Sequence, residues 1–156
     1  MIDALWRSLM RVAYRIMRVW WAIRRPTANG AFVAVWRDGQ LLLVRNSYRP
    51  GQSVPCGRIH RRESPVEGAA RELREEVGLV APPDELIPAG VHPVEFEDKH
   101  DHAHFFEWQA PRDAEPRVDR REVVHAEWVA EAELHDRELL PHTRAYLAAR
   151  SRGGQS

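Results

Sequence analysis

The spacing of apolar and polar residues changes several times along the chain, and each change marks an element. Over residues 1–26, Ile2, Leu5, Trp6, Leu9, Val12, Ile16, Val19, Trp20 and Ile23 cover one broad side of a helix, while Arg7, Arg11, Arg15 and Arg18 share a stripe. This predicts an amphipathic basic helix that stops at Pro26. In "GAFVAVWRDGQLLLVR" two β-rich apolar runs flank Asp38-Gly39, a hairpin signal. "SYRPGQSVPCGR" reads as a turn-rich connection. Ser64-Pro65-Val66-Glu67 then carries a helix start: a serine cap, a proline at the first helical position and a glutamate three residues after the cap. Gly78 is the matching stop, and Val66, Ala69, Ala70, Leu73 and Val77 fall on one side between them. "ELIPAGVHPVEF", "AHFFEWQA" and "VVHAEWVA" are strand-like, and "PHTRAYLAAR" reads as a closing helix. The order helix, strands, helix, strands, helix, with no repeat and no long linker, favours an α/β fold with a mixed sheet between helices. The domain is expected over 27–150, after the helix of 1–26 and before a frayed tail over 151–156.

Composition narrows the setting. With 156 residues, 44% hydrophobic and 29% charged, the chain can bury a core without covalent staples. The formal charge of zero gives no reason to expect a stable nucleic-acid complex. A single cysteine, Cys56, excludes an internal disulfide and suits a reducing compartment, so the expected location is cytoplasmic. The neutral average hides a basic first helix: six arginines against Asp3 make residues 1–25 net +5. Such a helix can lie on an anionic membrane surface, pack on its own domain, or pack on a second copy as a homodimer. Arginine recurring through the apolar stretch argues against a secretory signal, and the scarcity of serine against a transit peptide.

The chemistry concentrates in "RELREEVGL", Arg71 to Leu79. Glu72, Glu75 and Glu76 are three and four residues apart, so their carboxylates converge on one side of the helix. Like charges at that spacing cost a few tenths of a kcal/mol per pair. Arg71 can offset part of this one turn away at Glu75, and a hard divalent cation would offset more. The alternative is an ordinary solvated face of mixed charge.

The wider spacing distinguishes these. Gly57, five residues, Glu63, seven residues, Arg71-Glu72-Leu73, one residue, Glu75-Glu76, one residue, Gly78-Leu79 resembles the signature of the Nudix hydrolases at every defining position. The resemblance extends over roughly Thr27 to Tyr146 and implies a Nudix-type α/β/α sandwich with a mixed sheet. It implies a pyrophosphohydrolase that cleaves the diphosphate linkage of a nucleoside diphosphate derivative: a nucleotide sugar, a dinucleotide or a nucleoside triphosphate. It further implies that Glu72, Glu75 and Glu76, with a backbone carbonyl at Cys56-Gly57, bind Mg2+ or Mn2+. Arg71 would orient the glutamates, and Glu63 would support the loop-helix junction or a second metal. The general base would be a helix carboxylate or one of Glu95, Glu97 and Asp98.

The stretch before the helix departs from that pattern. Relatives commonly carry further glycines where this chain has Cys56 and Arg62, and tryptophan where it has Gln52. Replacing glycine can forbid positive φ. Arg58, His60, Arg61 and Arg62 are candidates for a basic rim that attracts substrate phosphate. The irregular loop also supports a second reading, a Nudix-fold sensor that recognises a nucleotide with little or no hydrolysis. Cys56 is expected to be a small turn residue rather than a reactive thiol. Asp101, His102 and His104, from "KHDHAH", could hold a transition metal or contact a base or phosphate.

Overall fold

A computed structural model describes residues 2–24, 26–118 and 120–153. Among them six strands form one sheet: β1 (Thr27–Arg37), β2 (Gln40–Asn46), β3 (Cys56–Arg58), β4 (Ile87–Phe96), β5 (Lys99–Gln109) and β6 (Val123–Ala130). The order across the sheet is β4-β5-β1-β2-β6, with β3 also paired to β1. β1 and β5 run parallel from Thr27↔His100 to Trp36↔Gln109, and the other pairs are antiparallel, so the sheet is mixed. Two helices flank it, α2 (Pro65–Val77) and α3 (Pro141–Gly153), and a further helix, α1 (Ile2–Arg24), precedes β1.

β1 is the centre of the fold, and it is buried on both faces, as its continuous apolar run demands. Ala31, Val33 and Val35 join Ala69, Leu73 and Val77 of α2 in one core layer. Phe32, Ala34 and Trp36, on the opposite face, join Phe105 of β5 and Tyr146 of α3 in the other. Tyr146 stacks on Phe105 at 4.8 Å between ring centroids, accepts from Trp36 Nε1 and donates to Glu107 Oε1 at 2.6 Å. Both ends of this amphipathic side chain are thereby satisfied, which lets it be buried whole.

The predicted hairpin is present: Asp38 and Gly39 both take positive φ, 47° and 76°, and Arg37 pairs with Gln40. The cap signals of α2 hold as well. Ser64 Oγ accepts from Glu67 N, Glu67 reaches back to Ser64 N at 2.8 Å, and Gly78 closes the helix in the left-handed region at φ 67°. α3 extends through Gly153, three residues into the stretch expected as a tail, and Ser151 Oγ donates to Leu147 O within it. Residues 154–156 of that stretch lie outside the described residues.

The first helix does not pack its apolar side on the domain. It touches the domain through Arg7, Tyr14, Arg18 and Trp21, the edge of its polar stripe, and leaves Leu5, Ile16 and Ile23 exposed at 72%, 66% and 77%. No helix among the described residues is long and apolar enough to cross a membrane.

Candidate functional site

The site is built where α2 passes β3. Burying Leu73 and Val77 against β1 fixes the rotation of α2, and with it the positions of Arg71, Glu72, Glu75 and Glu76. β3 is held to β1 by the pairs Gly30↔Arg58, Ala31↔Gly57 and Phe32↔Cys56, which sets its backbone against the α2 carboxylates.

Arg71 is the hub. Its Nε and Nη2 donate to the two oxygens of Glu63 at 2.8 and 2.9 Å, and Nη2 also donates to Arg58 O at 2.9 Å. Its Nη1 reaches Glu72 Oε1 at 2.5 Å and Glu75 Oε2 at 3.3 Å. One planar guanidinium thus ties the β3 backbone, the following loop and the helix together. The bond from Arg71, helped by the His60 N–H, holds the Glu63 carboxyl down at about 2. Glu63 in turn pushes Arg71 further up than its ordinary range.

The α2 carboxylates do not all converge. Glu76 is buried and accepts from Cys56 N at 2.8 Å. Glu72 lies against Gly57 so closely that a Cβ there would overlap its carboxylate, the close approach that requires glycine. Glu75 instead points to solvent, 55% exposed, with Arg71 as its partner. A further carboxylate whose charge reaches Glu72 and Glu76 is Glu122, which precedes β6. Its charge raises both of theirs, and Tyr48 Oη donates to its Oε1 at 3.2 Å. Burial is the first cause of both shifts: Glu72 is raised, and Glu76 is raised well above the usual carboxylate range, with the Cys56 N–H opposing. Glu122 has no motif to announce it. It arrives through the β2–β6 register, in which Asn46 pairs with Val123.

Among the described residues no three acidic, histidine or cysteine side chains stand close enough together to hold an ion as they are placed. Glu72 is turned to Arg71. The donor set nevertheless fits a hard divalent cation: all oxygen, partly desolvated, and with the Glu72 charge adding to the proton affinity of Glu76.

Other sequence candidates fall elsewhere. Glu95, Glu97 and Asp98 lie at the β4–β5 hairpin, where Glu95 faces His100, Glu97 accepts from Tyr14 of α1, and Asp98 pairs with Arg18 of α1. Arg58, Arg61 and Arg62 are exposed and form no ion pair among the described residues. Asp101 does not join His102 and His104, because alternate strand residues face opposite ways. It is buried against α3 with His142 Nε2 at 3.1 Å and Lys99 Nζ at 3.7 Å. The Cys56 thiol is pushed up to about 12 by burial and the nearby Glu76 charge, and is no thiolate. Neither Cys56 nor Arg62 is among the residues with positive φ, so the loop reaches its conformation without the extra glycines. Arg49 is a cation not singled out from the sequence. Its buried Nε has no hydrogen-bond partner, its guanidinium lies 5.6 Å over the Tyr48 ring, and its charge opposes the rise at Glu76.

A family model described as NUDIX domain matches residues 26–150. An RNA pyrophosphohydrolase of Xylella fastidiosa (strain M12) is 41% identical over 61 residues, which cover 39% of this chain and 32% of that protein. One from Xanthomonas oryzae pv. oryzae (strain MAFF 311018) is 41% identical over 61 residues, 39% of this chain and 30% of that protein. The match spans about a third of the length of these curated relatives. Among solved structures, a MutT protein from Methanosarcina mazei Go1 aligns with TM-score 0.71 at 24% identity, covering 85% of this chain and 98% of that one. A MutT NUDIX hydrolase from Burkholderia pseudomallei aligns with TM-score 0.67 at 25% identity, covering 79% and 97%. The NUDIX domain of Shewanella oneidensis NrtR, solved with ADP ribose, aligns with TM-score 0.69 at 17% identity, covering 81% and 88%.

Proposed function

The chain belongs to the NUDIX family, and from that premise we propose that it is a divalent-metal-dependent pyrophosphohydrolase of a nucleoside diphosphate derivative. The observation that supports this reading is the Arg71 hub, which ties Glu63 and Glu72 together where Glu72 lies against the Gly57 backbone of β3, with the buried Glu76 held by the Cys56 N–H. Glu72 and Glu76 would hold Mg2+ or Mn2+, with Glu75 joining if its exposed side chain turns inward. When bound, such a cation neutralises phosphate charge and lowers the pKa of a water.

The chain's own residues have separable tasks. Arg71 and Glu63 lock the junction between β3 and α2, so that the Gly57 backbone and the Glu72 carboxylate keep one geometry. The Cys56 N–H fixes one oxygen of Glu76 and leaves the other to accept a proton or a cation. Glu122, anchored by Tyr48 and electrostatically linked to Glu72 and Glu76, is the side chain outside the helix to which this reading gives the proton of the attacking water. Arg49, partly freed of hydrogen bonds, and the exposed Arg58, Arg61 and Arg62 supply positive charge for the phosphates. A free Cys56 suits the reducing cytoplasm.

The relatives' name, RNA pyrophosphohydrolase, makes RNA one substrate class to set beside nucleotide sugars, dinucleotides and nucleoside triphosphates. A panel of these four with Mg2+ or Mn2+, assayed by release of phosphate, pyrophosphate or nucleoside monophosphate, tests the proposal. No turnover on any member rejects it. A second reading, a nucleotide sensor, draws on Glu72 being engaged by Arg71 rather than by its neighbours. Ligand binding by calorimetry without turnover would favour that reading.

A further inference from the structure

We infer that α1 is an interfacial helix whose outward apolar face seats in the surface of an anionic lipid bilayer. The helix meets the domain along one line. Arg7 donates to Arg120 O at 3.4 Å, the Tyr14 ring packs on Tyr48 at 5.1 Å while its hydroxyl donates to Glu97, Arg18 lies 3.7 Å from Asp98, and Trp21 carries Lys99 Nζ 4.1 Å over its ring. Spacings of seven, four and three residues put these on one edge. Leu5, Leu9, Val12, Ile16, Trp20 and Ile23 point the other way, and each is more than half exposed. At 1.5 Å rise per residue, the stripe from Leu5 to Ile23 is about 27 Å long. An uncovered apolar face of that length calls for an occupant.

Charge identifies which one. Arg11 and Arg15 are exposed on the row between the domain contacts and the apolar stripe, and the sequence up to Arg25 has six arginines against the one acid, Asp3. A second copy seated on this face would bring its own arginine rows with almost nothing acidic on the helix to meet them. Lipid headgroups bearing phosphate and negative charge supply what those rows lack, while tryptophans Trp6 and Trp20 suit the boundary between headgroup and acyl chain. The helix is not apolar enough to span, so it lies in the plane of the surface. Tyr14 leans on Tyr48, and Tyr48 donates to Glu122, so two side-chain contacts connect the helix to the carboxylate site. This inference stands whether or not that site hydrolyses pyrophosphate.

The test is co-sedimentation of the full chain with vesicles of phosphatidylcholine alone and of phosphatidylcholine with one part in three phosphatidylglycerol. At least tenfold stronger partition onto the anionic vesicles is expected, weakening as salt is raised. Ile16→Glu, at a side chain that faces solvent, should abolish partition with the melting temperature unchanged. The paired change Arg11→Gln and Arg15→Gln should reduce the anionic preference and leave the fold intact. A full chain that stays in the supernatant with both vesicles, or that partitions equally onto both, overturns the inference. So does a lipid-free dimer that Ile16→Glu converts to monomer, since the face is then covered by a second copy.

Discussion

Arg71 grips both carboxylate oxygens of Glu63 with two nearly equal bonds, 2.8 and 2.9 Å, across the junction of β3 and α2. A guanidinium makes that fork and an ammonium does not. Arg71→Lys keeps the charge but loses the bidentate grip and the further bond to Arg58 O. Turnover should fall at least tenfold while the chain still folds. Measuring kcat beside the melting temperature checks this; an unchanged kcat would remove Arg71 from the machinery.

The same pair fixes an acid-side dependence. The Glu63 carboxyl sits at about 2 in the folded chain against an ordinary 4.5, so the folded state binds that proton less readily than the unfolded state. Its contribution to stability is therefore full above about pH 4.5 and is lost as pH falls toward 2. Urea denaturation should show wild type and Glu63→Gln far apart near neutrality and converging in acid. A constant gap across that window would contradict the assignment.

Glu122 raises the proton affinity of Glu72 and Glu76, a cost the fold bears. Glu122→Gln should leave the melting temperature equal or higher, because one repelling charge is gone, and should lower turnover by about a hundredfold or more, the usual range for a lost proton acceptor. Equal turnover would leave Glu122 outside the chemistry.

At β3, two neighbouring residues should behave oppositely. Gly57→Ala places a methyl into the Glu72 carboxylate and should collapse turnover with modest loss of stability. Cys56→Ser keeps the N–H that holds Glu76 and should change kcat less than threefold. With its thiol raised to about 12, wild-type Cys56 should alkylate at pH 8 at least tenfold more slowly than free cysteine. Reaction at the free-cysteine rate would show an open, ionised thiol.

The parts of this molecule that were readable in advance are those specified locally. Ser64, Glu67 and Gly78 cap α2 through bonds within the helix ends, and Asp38-Gly39 makes a turn from its own two residues. The site was readable as far as it lies in that helix. What escaped depends on distant pairing. β3 is three residues long and is a strand only because β1 is beside it. Glu122 is set ahead of β6 by the partnering of β2 with β6, and Glu75 faces outward because burial of Leu73 and Val77 against the sheet turns it to the far side of α2. The amphipathic pattern of α1 defined an apolar face without saying that its opposite edge, at Tyr14 and Arg18, would be the one to dock.

The parallel register of β1 with β5 also constrains how the molecule is made. Thr27 waits for His100, and Trp36 for Gln109, so the central strand leaves the ribosome long before its longest partner exists. Until then β1 can close only the hairpin with β2 and the short rung with β3, and its other edge stays unpaired. Such non-local closure slows folding and lengthens the time during which an apolar edge is open to strangers. A nascent chain arrested before residue 99 should therefore be protease-sensitive and dependent on holding factors, and one extended past α3 should not.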